Sequence, residues 1–311
     1  MLKARCNSRV FCCNLLELSP LPEIVTDPIN NTRIAPTPSG FLHVGNILSF
    51  AIASALARKI NAKVLLRIDD LDQARADIKY VQDIFDTLNY LEIPWDIGPR
   101  NIKEFQDAWS QSRRMSLYQM AIKKLCEKGA VFACVCSRQQ IRFGVPCRCL
   151  EKQISLNAEN ASLRLITGTN HLEILGYSGQ VTRAALPSEM KNFVIRRRDG
   201  IPSYQLASVM DDLYYGIDLI VRGEDLWHST IAQHALALAL DEKRFSHIKF
   251  YHHQLLMEAP GKKLSKSAGT TSVKYLRERG KKPSDIYTMI AGMMGIDEIV
   301  TDWEQLAREI V

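Results

Sequence analysis

The stretch T-R-I-A-P-T-P-S-G-F-L-H-V-G-N, Thr32 to Asn46, decides how this chain folds. Ile34-Ala35 is short and apolar, as the end of a buried strand should be, and Pro36 and Pro38 stop a sheet or helix from continuing. Ser39-Gly40 carries the chain through a turn, and Ile47, Phe50, Ala51, Ser54, Ala55 and Arg58 then recur at helical spacing up to Ile60. Strand, tight loop and helix therefore follow one another. A helix opening there presents unpaired backbone N–H groups and a partial positive charge, and Gly45 lets a flat or anionic ligand approach the backbone. A loop histidine such as His43 is ordinary on its own; within the whole stretch it reads as part of a nucleotide-binding turn.

Outward from that turn, Lys63 to Ile68 is a second parallel strand that ends in Asp69-Asp70-Leu71-Asp72, with acids at the carboxyl end, where open α/β sheets bind ligands. Asp72 and Asp77 read equally well as helix caps. Tyr80 to Tyr90 is a helix, and Gln111 to Arg114 with Tyr118 to Lys128 gives another, stopped by Gly129. Ser162 to Met190 reads as short alternating strands around Gly168, Gly176 and Gly179. Phe193 to Arg198 is a strand, Asp199-Gly200 a turn, and Pro202-Ser203-Tyr204-Gln205 the start of a helix. Ile217 to Val221 is a buried strand whose end puts Arg222 in the ligand crevice, where a guanidinium can grip a carboxylate at two points. A structural salt bridge from Arg222 to Glu224 is the alternative. Ser229 to Leu240 is an Ala/Leu-rich core helix, and Phe250 to Met257 is a further strand before the basic loop Pro260 to Ser267.

At 311 residues, 46% hydrophobic and 24% charged, the chain can hold two domains or one with a large insertion. It has no run of about 18 apolar residues, so no membrane-spanning helix is expected. A formal charge of +6 is compatible with an RNA partner and also with none. Of the 8 cysteines, Cys134, Cys136, Cys147 and Cys149 fall close together as two C-x-C pairs, a pattern that suits metal ligation in a reducing compartment better than a disulfide framework. Four thiolates can close a tetrahedral cage around Zn²⁺; four unligated thiols in a reduced loop are the plainer possibility.

Several segments in order carry a resemblance. The opening turn, R-I-D-D-L-D from Arg67, Q-S-R-R-M-S-L-Y from Gln111, R-R-D-G-I-P-S-Y-Q-L-A-S-V-M-D-D from Arg197, R-G-E-D from Arg222 and K-K-L-S-K-S from Lys262 resemble the signatures of class I aminoacyl-tRNA synthetases, in the glutamyl and glutaminyl branch. The resemblance covers roughly residues 32–295. It implies ATP-dependent activation of glutamate and transfer to tRNA. His43, Asn46 and Lys266 would be catalytic; His43, Gly45, Asn46, Lys263, Leu264, Ser265 and Lys266 would bind ATP, accompanied by Mg²⁺; Arg33, Ala35, Thr37, Asp69, Tyr204 and Arg222 would bind L-glutamate. Asp69 stands where that branch has a glutamate that holds the substrate's amino group, and Asn46 stands where it has a second histidine. The cysteine region resembles that of short glutamyl paralogues that modify queuosine in tRNA, with Cys147 near the place of a ligand tyrosine.

The expected fold is α/β: a Rossmann-like parallel sheet with an inserted Cys-rich subdomain and a helical C-terminal end. The expected organisation is a flexible extension over 1–30, the first half of the catalytic domain over 31–125, an inserted acceptor-type subdomain with the zinc site over 126–190, the second half over 191–257, and the lysine-serine loop with helices over 258–311. The 44 residues after Ser267 are too few for an anticodon-binding domain. The resemblance implies a cytoplasmic, monomeric enzyme that places glutamate on a tRNA, at the queuosine base of tRNA(Asp) as the favoured acceptor. A minimal glutamate–tRNA ligase charging the tRNA 3′ end, or a non-catalytic paralogue binding glutamate or tRNA, are the alternatives.

Overall fold

A computed structural model of the chain describes residues 28–72, 76–137, 139–140, 146–169, 171–259, 262–263 and 271–311. The extension expected over 1–30 lies outside the described residues except for its last three. In chain order the strands are β1 (Asn31–Ile34), β2 (Lys63–Leu66), β3 (Val131–Cys134), β4 (Ser162–Leu165), β5 (His171–Gly176), β6 (Val181–Ala185), β7 (Val194–Arg196), β8 (Leu219–Gly223), β9 (Lys249–His253), β10 (Met257–Ala259) and β11 (Lys262–Lys263). The principal helices are α1 (Val44–Lys59), α2 (Ile78–Tyr90), α3 (Met115–Glu127), α4 (Tyr204–Tyr214), α5 (Trp227–Ala239), α6 (Val273–Glu278), α7 (Pro283–Met293) and α8 (Trp303–Arg308).

The central sheet has the order β2-β1-β8-β9-β5-β6 and is parallel except at its β5-β6 edge. Both faces are covered. Along β8, Leu219 and Val221 enter one core while Ile220 enters the other; along β2, Val64 and Leu66 face the first core and Leu65 the second. Alternating side chains of a strand point to opposite faces, so near-continuous apolar strands are what a sheet sandwiched between helices requires. The first core contains α1 with α2, α7 and α8; the second contains α3, α4 and α5.

Helix α1 is apolar nearly all round, with Ile47, Leu48, Ala51, Ile52, Leu56 and Ala57 almost completely buried. A helix of that kind is stable only when enclosed. It lies on β1, β2 and β8, and α8 covers its outer side, where Arg58 stacks on Trp303 with 4.6 Å from its guanidinium carbon to the ring centroid. The C-terminal helices thereby fix the element that opens the ligand crevice.

Four segments differ from the sequence expectations. The hairpin β5-β6, expected within an insertion over 126–190, completes the central sheet through β9, whereas β7, expected in the second catalytic half, pairs with β4 in a separate sheet of order β3-β4-β7. Alternation identifies a strand but says nothing of its neighbour. The strand expected from Phe250 to Met257 divides, because β9 ends at His253 and Met257 begins a strand that pairs antiparallel with β11. Gln111–Arg114 is a single 3₁₀ turn leading into α3, which begins at Met115 rather than Tyr118.

Candidate active site

The strand order turns back between β1 and β8, and a cavity of about 500 Å³ opens at the carboxyl ends of the central strands there. Strand β1 contributes Arg33 and Ile34, followed by Ala35; the residues just after β2 contribute Arg67 and Asp69; β8 contributes Val221, Arg222 and Gly223; β9 contributes His253. His43, Gly45, Asn46 and Ser49 reach it from the start of α1, and Tyr204 from the start of α4. Of the residues expected for glutamate, Arg33, Ala35, Asp69, Tyr204 and Arg222 thus line one space. Thr37 lines an adjoining cavity that shares Asp69 and Tyr204. Leu264, Ser265 and Lys266 lie outside the described residues, as does the side chain of Lys263.

His43 is the N-cap of α1. Its Nδ1 accepts the Gly45 N–H at 3.1 Å, while Asn46 Oδ1 accepts the His43 N–H at 3.1 Å, so the two side chains cap the helix reciprocally. With Nδ1 acting as acceptor, the neutral imidazole carries its proton on Nε2. Asn46 spends its carbonyl on the cap, and its amide group remains the donor. Gly45 is required by space: a Cβ there would sit 3.0 Å from His43 Cε1 and push the ring aside. Beside them, Ser49 Oγ lies 2.6 Å from His253 Nε2, and His253 Nδ1 donates to the Gln254 carbonyl at 2.8 Å, which makes Nε2 the acceptor of the serine hydroxyl. Burial pushes the His253 imidazole below its ordinary pKa and keeps it neutral.

Four arginines are buried among the described residues: Arg33, Arg67, Arg114 and Arg222. Three are matched by aspartates. Arg67 donates through Nε and Nη2 to both oxygens of Asp69, at 2.7 and 3.0 Å, and through Nη1 to Asp212 at 2.7 Å. Arg33 Nε donates to the same Asp212 oxygen at 3.2 Å. Arg114 forms a two-point pair with Asp211 at 2.8 and 2.9 Å, and Asp211 also accepts from Tyr118 and Gln111. Buried charges need such partners.

Arg222 is different. Its Nη2 donates to Gln233 Oε1 at 2.8 Å, and its Nε and Nη1 are buried with no hydrogen-bond partner. Burial pushes its guanidinium down to about 10; Tyr204 and Asp212 offset the lost hydration only in part, and the nearby charges of Arg33 and Arg67 add to the depression. It stacks on Phe250, 5.0 Å from the ring centroid. Arg33 and Arg222, both expected at the glutamate site, are therefore not equivalent: Arg33 is already committed to Asp212, and Arg222 carries unmatched donors at the cavity wall. The alternative bridge to Glu224 is replaced by the bond to Gln233. Asp77 does cap α2, by accepting the Lys79 N–H at 3.0 Å, and Asp72 pairs with Arg197 at 3.1 Å.

Arg67, Asp212 and His253 were not among the expected site residues. Arg67 reads as the end of a hydrophobic strand, and its partner Asp212 is 145 positions away. Its place at a strand's carboxyl end, the same signal that marked Arg222, could have found it.

The four clustered cysteines converge. Their sulfurs all lie within 4.8 Å of one another, with Cys134–Cys147 at 3.6 Å and Cys136–Cys149 at 3.5 Å. Thiolates on a tetrahedral Zn²⁺ with bonds of about 2.3 Å are separated by roughly 3.8 Å, so the donor set fits such an ion. Burial opposes the Cys149 thiolate, but hydrogen bonds from the Val135 backbone and the neighbouring thiols outweigh it and bring it to about 7. Arg198 braces the knuckle by donating to the carbonyls of Val135 and Cys136 at 2.6 and 2.8 Å. Cys147 takes its place in this group.

No helix among the described residues is long and apolar enough to cross a membrane. The family described as tRNA synthetases class I (E and Q), catalytic domain, matches residues 30–145 and 150–307. A glutamyl-Q tRNA(Asp) synthetase of Nitratidesulfovibrio vulgaris is 33% identical over 285 residues, covering 84% of this chain and 86% of that protein. Glutamate–tRNA ligase 1 of Methylococcus capsulatus is 31% identical over 278 residues, which are 84% of this chain but 58% of that protein. Among solved structures, a glutamate tRNA ligase from Elizabethkingia meningosepticum superposes with a TM-score of 0.68 over 89% of this chain and 64% of its own, at 19% identity, a likeness of fold. The chain thus spans less than two thirds of the length of these two ligases.

Proposed function

Since the chain belongs to the class I tRNA synthetase family, in its E and Q catalytic-domain branch, we propose that it activates L-glutamate with ATP and passes the glutamyl group to a tRNA, with the queuosine base of tRNA(Asp) as acceptor. The observation that carries the reading is Arg222. A buried guanidinium with two unmatched donors at the wall of a cavity is completed by an anion, and a carboxylate offers two oxygens in the matching fork.

In the proposed reaction the α-carboxylate of glutamate attacks the α-phosphorus of ATP, glutamyl-adenylate forms and pyrophosphate leaves. An acceptor hydroxyl of the tRNA then attacks the acyl carbon, and AMP leaves. Arg222 holds the side-chain carboxylate. Asp69, fixed by Arg67, receives the substrate ammonium. His43 Nε2 and the Asn46 amide, at the positive end of α1, are donors of the type needed where negative charge grows on the phosphates. Lys266 would add a cation, and Mg²⁺ would accompany ATP. Cys134, Cys136, Cys147 and Cys149 would hold a structural zinc that ties β3 to the 147–149 segment, away from the chemistry.

The queuosine acceptor is favoured because a relative of which this chain covers 86% is named a glutamyl-Q tRNA(Asp) synthetase, whereas the glutamate–tRNA ligase of Methylococcus capsulatus is covered to 58%. Labelled glutamate and ATP, incubated with the protein and tRNA(Asp) with or without queuosine, should label only the queuosine-bearing RNA. Label released by deacylation from the 3′ end of either RNA would make the protein a glutamate–tRNA ligase instead.

A further inference from the structure

Gln233, on α5, is fully buried, and its Oε1 is the acceptor that holds Arg222 Nη2 at 2.8 Å. A guanidinium has no acceptor, so the carboxamide can meet it only through oxygen, which turns Nε2 the other way. That Nε2 has no hydrogen-bond partner, nor do Arg222 Nε and Nη1. The pair is therefore rich in buried donors and poor in acceptors. The other buried arginines, Arg33, Arg67 and Arg114, are each held by an aspartate. Only at Arg222, among the described residues, does a neutral amide do the holding.

We propose that Gln233 is the positioning residue that sets the charge specificity of this site: its carboxamide orients Arg222 without neutralising it, so the ligand must bring the missing negative charge. The inference rests on the reading of Arg222 as the seat of the glutamate side-chain carboxylate. A carboxylate at position 233 would satisfy Arg222 internally, as Asp212 satisfies Arg33, and would repel an anionic ligand. A hydrophobic side chain of similar length would leave the charge but lose the orientation.

The test compares glutamate and glutamine in ATP–pyrophosphate exchange, using the full chain and its Gln233→Glu and Gln233→Met variants, with thermal denaturation to establish that each is folded. In Gln233→Glu the preference for glutamate over glutamine should fall at least about a hundredfold, mostly through a higher glutamate KM. In Gln233→Met the glutamate KM should rise about tenfold with little change in kcat, because one orienting hydrogen bond to a charged group is lost. A folded Gln233→Glu that keeps the wild-type preference overturns the proposal. Should that variant not fold, an unchanged glutamate KM in Gln233→Met overturns it alone. Wild type that accepts glutamine as readily as glutamate sinks the carboxylate reading itself, and the role of Gln233 with it; wild type that prefers glutamate beside indifferent variants sinks only the role of Gln233.

Discussion

Arg67 and Asp69, two positions apart just after β2, face each other in a two-point ion pair, with Nε–Oδ1 at 2.7 Å and Nη2–Oδ2 at 3.0 Å. The backbone between them carries Ile68 into the core, so the pair bends over the end of the strand and presents a fixed carboxylate to the cavity. Because Arg67 also bonds Asp212, its removal strands the Asp69 carboxylate and leaves Asp212 with Arg33 alone. Arg67→Met should destabilise the protein by about 3–5 kcal/mol, the scale for breaking a buried pair by removing one partner. Urea denaturation measures this, and a loss of less than about 1 kcal/mol would mean that the pair is solvated as surface bridges are.

His43 and Gly45 are coupled by the cap. His43→Ala should slow adenylate formation by about 10²–10³, the order for one preorganised donor. Gly45→Ala should lower the rate as well, since its Cβ would displace the ring from 3.0 Å contact. Single-turnover formation of glutamyl-adenylate reads both, and unchanged rates would remove His43 from the proposed chemistry.

The cysteine cage should hold about one zinc per chain in protein purified without chelators. Cys149→Ser should lower the metal content and the thermal midpoint together, because binding a preformed site stabilises the folded state. Metal-free protein with four freely titrating thiols would refute the site.

Stability should climb with pH between about 4 and 6.5. His234 is buried and His252 half-buried, and loss of hydration pushes their pKa values down to about 4 and about 3, so both are neutral. Below the ordinary histidine value of 6.5 the unfolded chain takes up protons that the folded chain refuses. Acid therefore favours unfolding, and the stability is restored as pH rises past 6.5. Denaturation midpoints across this range should rise in wild type and rise less steeply in His234→Gln. Parallel curves would mean that His234 charges without unfolding.

Much of the site was legible in the chain because its parts stand at strand ends and turns, where residue type and backbone form are tied together. Pro36, Pro38 and Gly45 announce the turn, and Arg222 follows directly on a buried strand. The electrostatic frame was not legible. Asp212 joins Arg33 and Arg67 across 179 and 145 positions, and Gln233 looks like one more residue of an Ala/Leu-rich core helix until its bond to Arg222 is seen. The hairpin β5-β6 was readable as strands, yet its attachment to β9 depends on a pairing that no local pattern encodes. Sequence marks which residues can do chemistry; burial and distant partners decide which of them still carries an unanswered charge.

The central claim, that Arg222 receives the side-chain carboxylate of glutamate, is tested most directly by ATP–pyrophosphate exchange with glutamate, glutamine and aspartate in wild type and Arg222→Ala. The account predicts that wild type strongly prefers glutamate, and that Arg222→Ala loses about 2–5 kcal/mol of transition-state binding for glutamate with little change in the KM for ATP. A wild type that uses glutamine or aspartate as well as glutamate, or an Arg222→Ala variant that retains the preference, would contradict it.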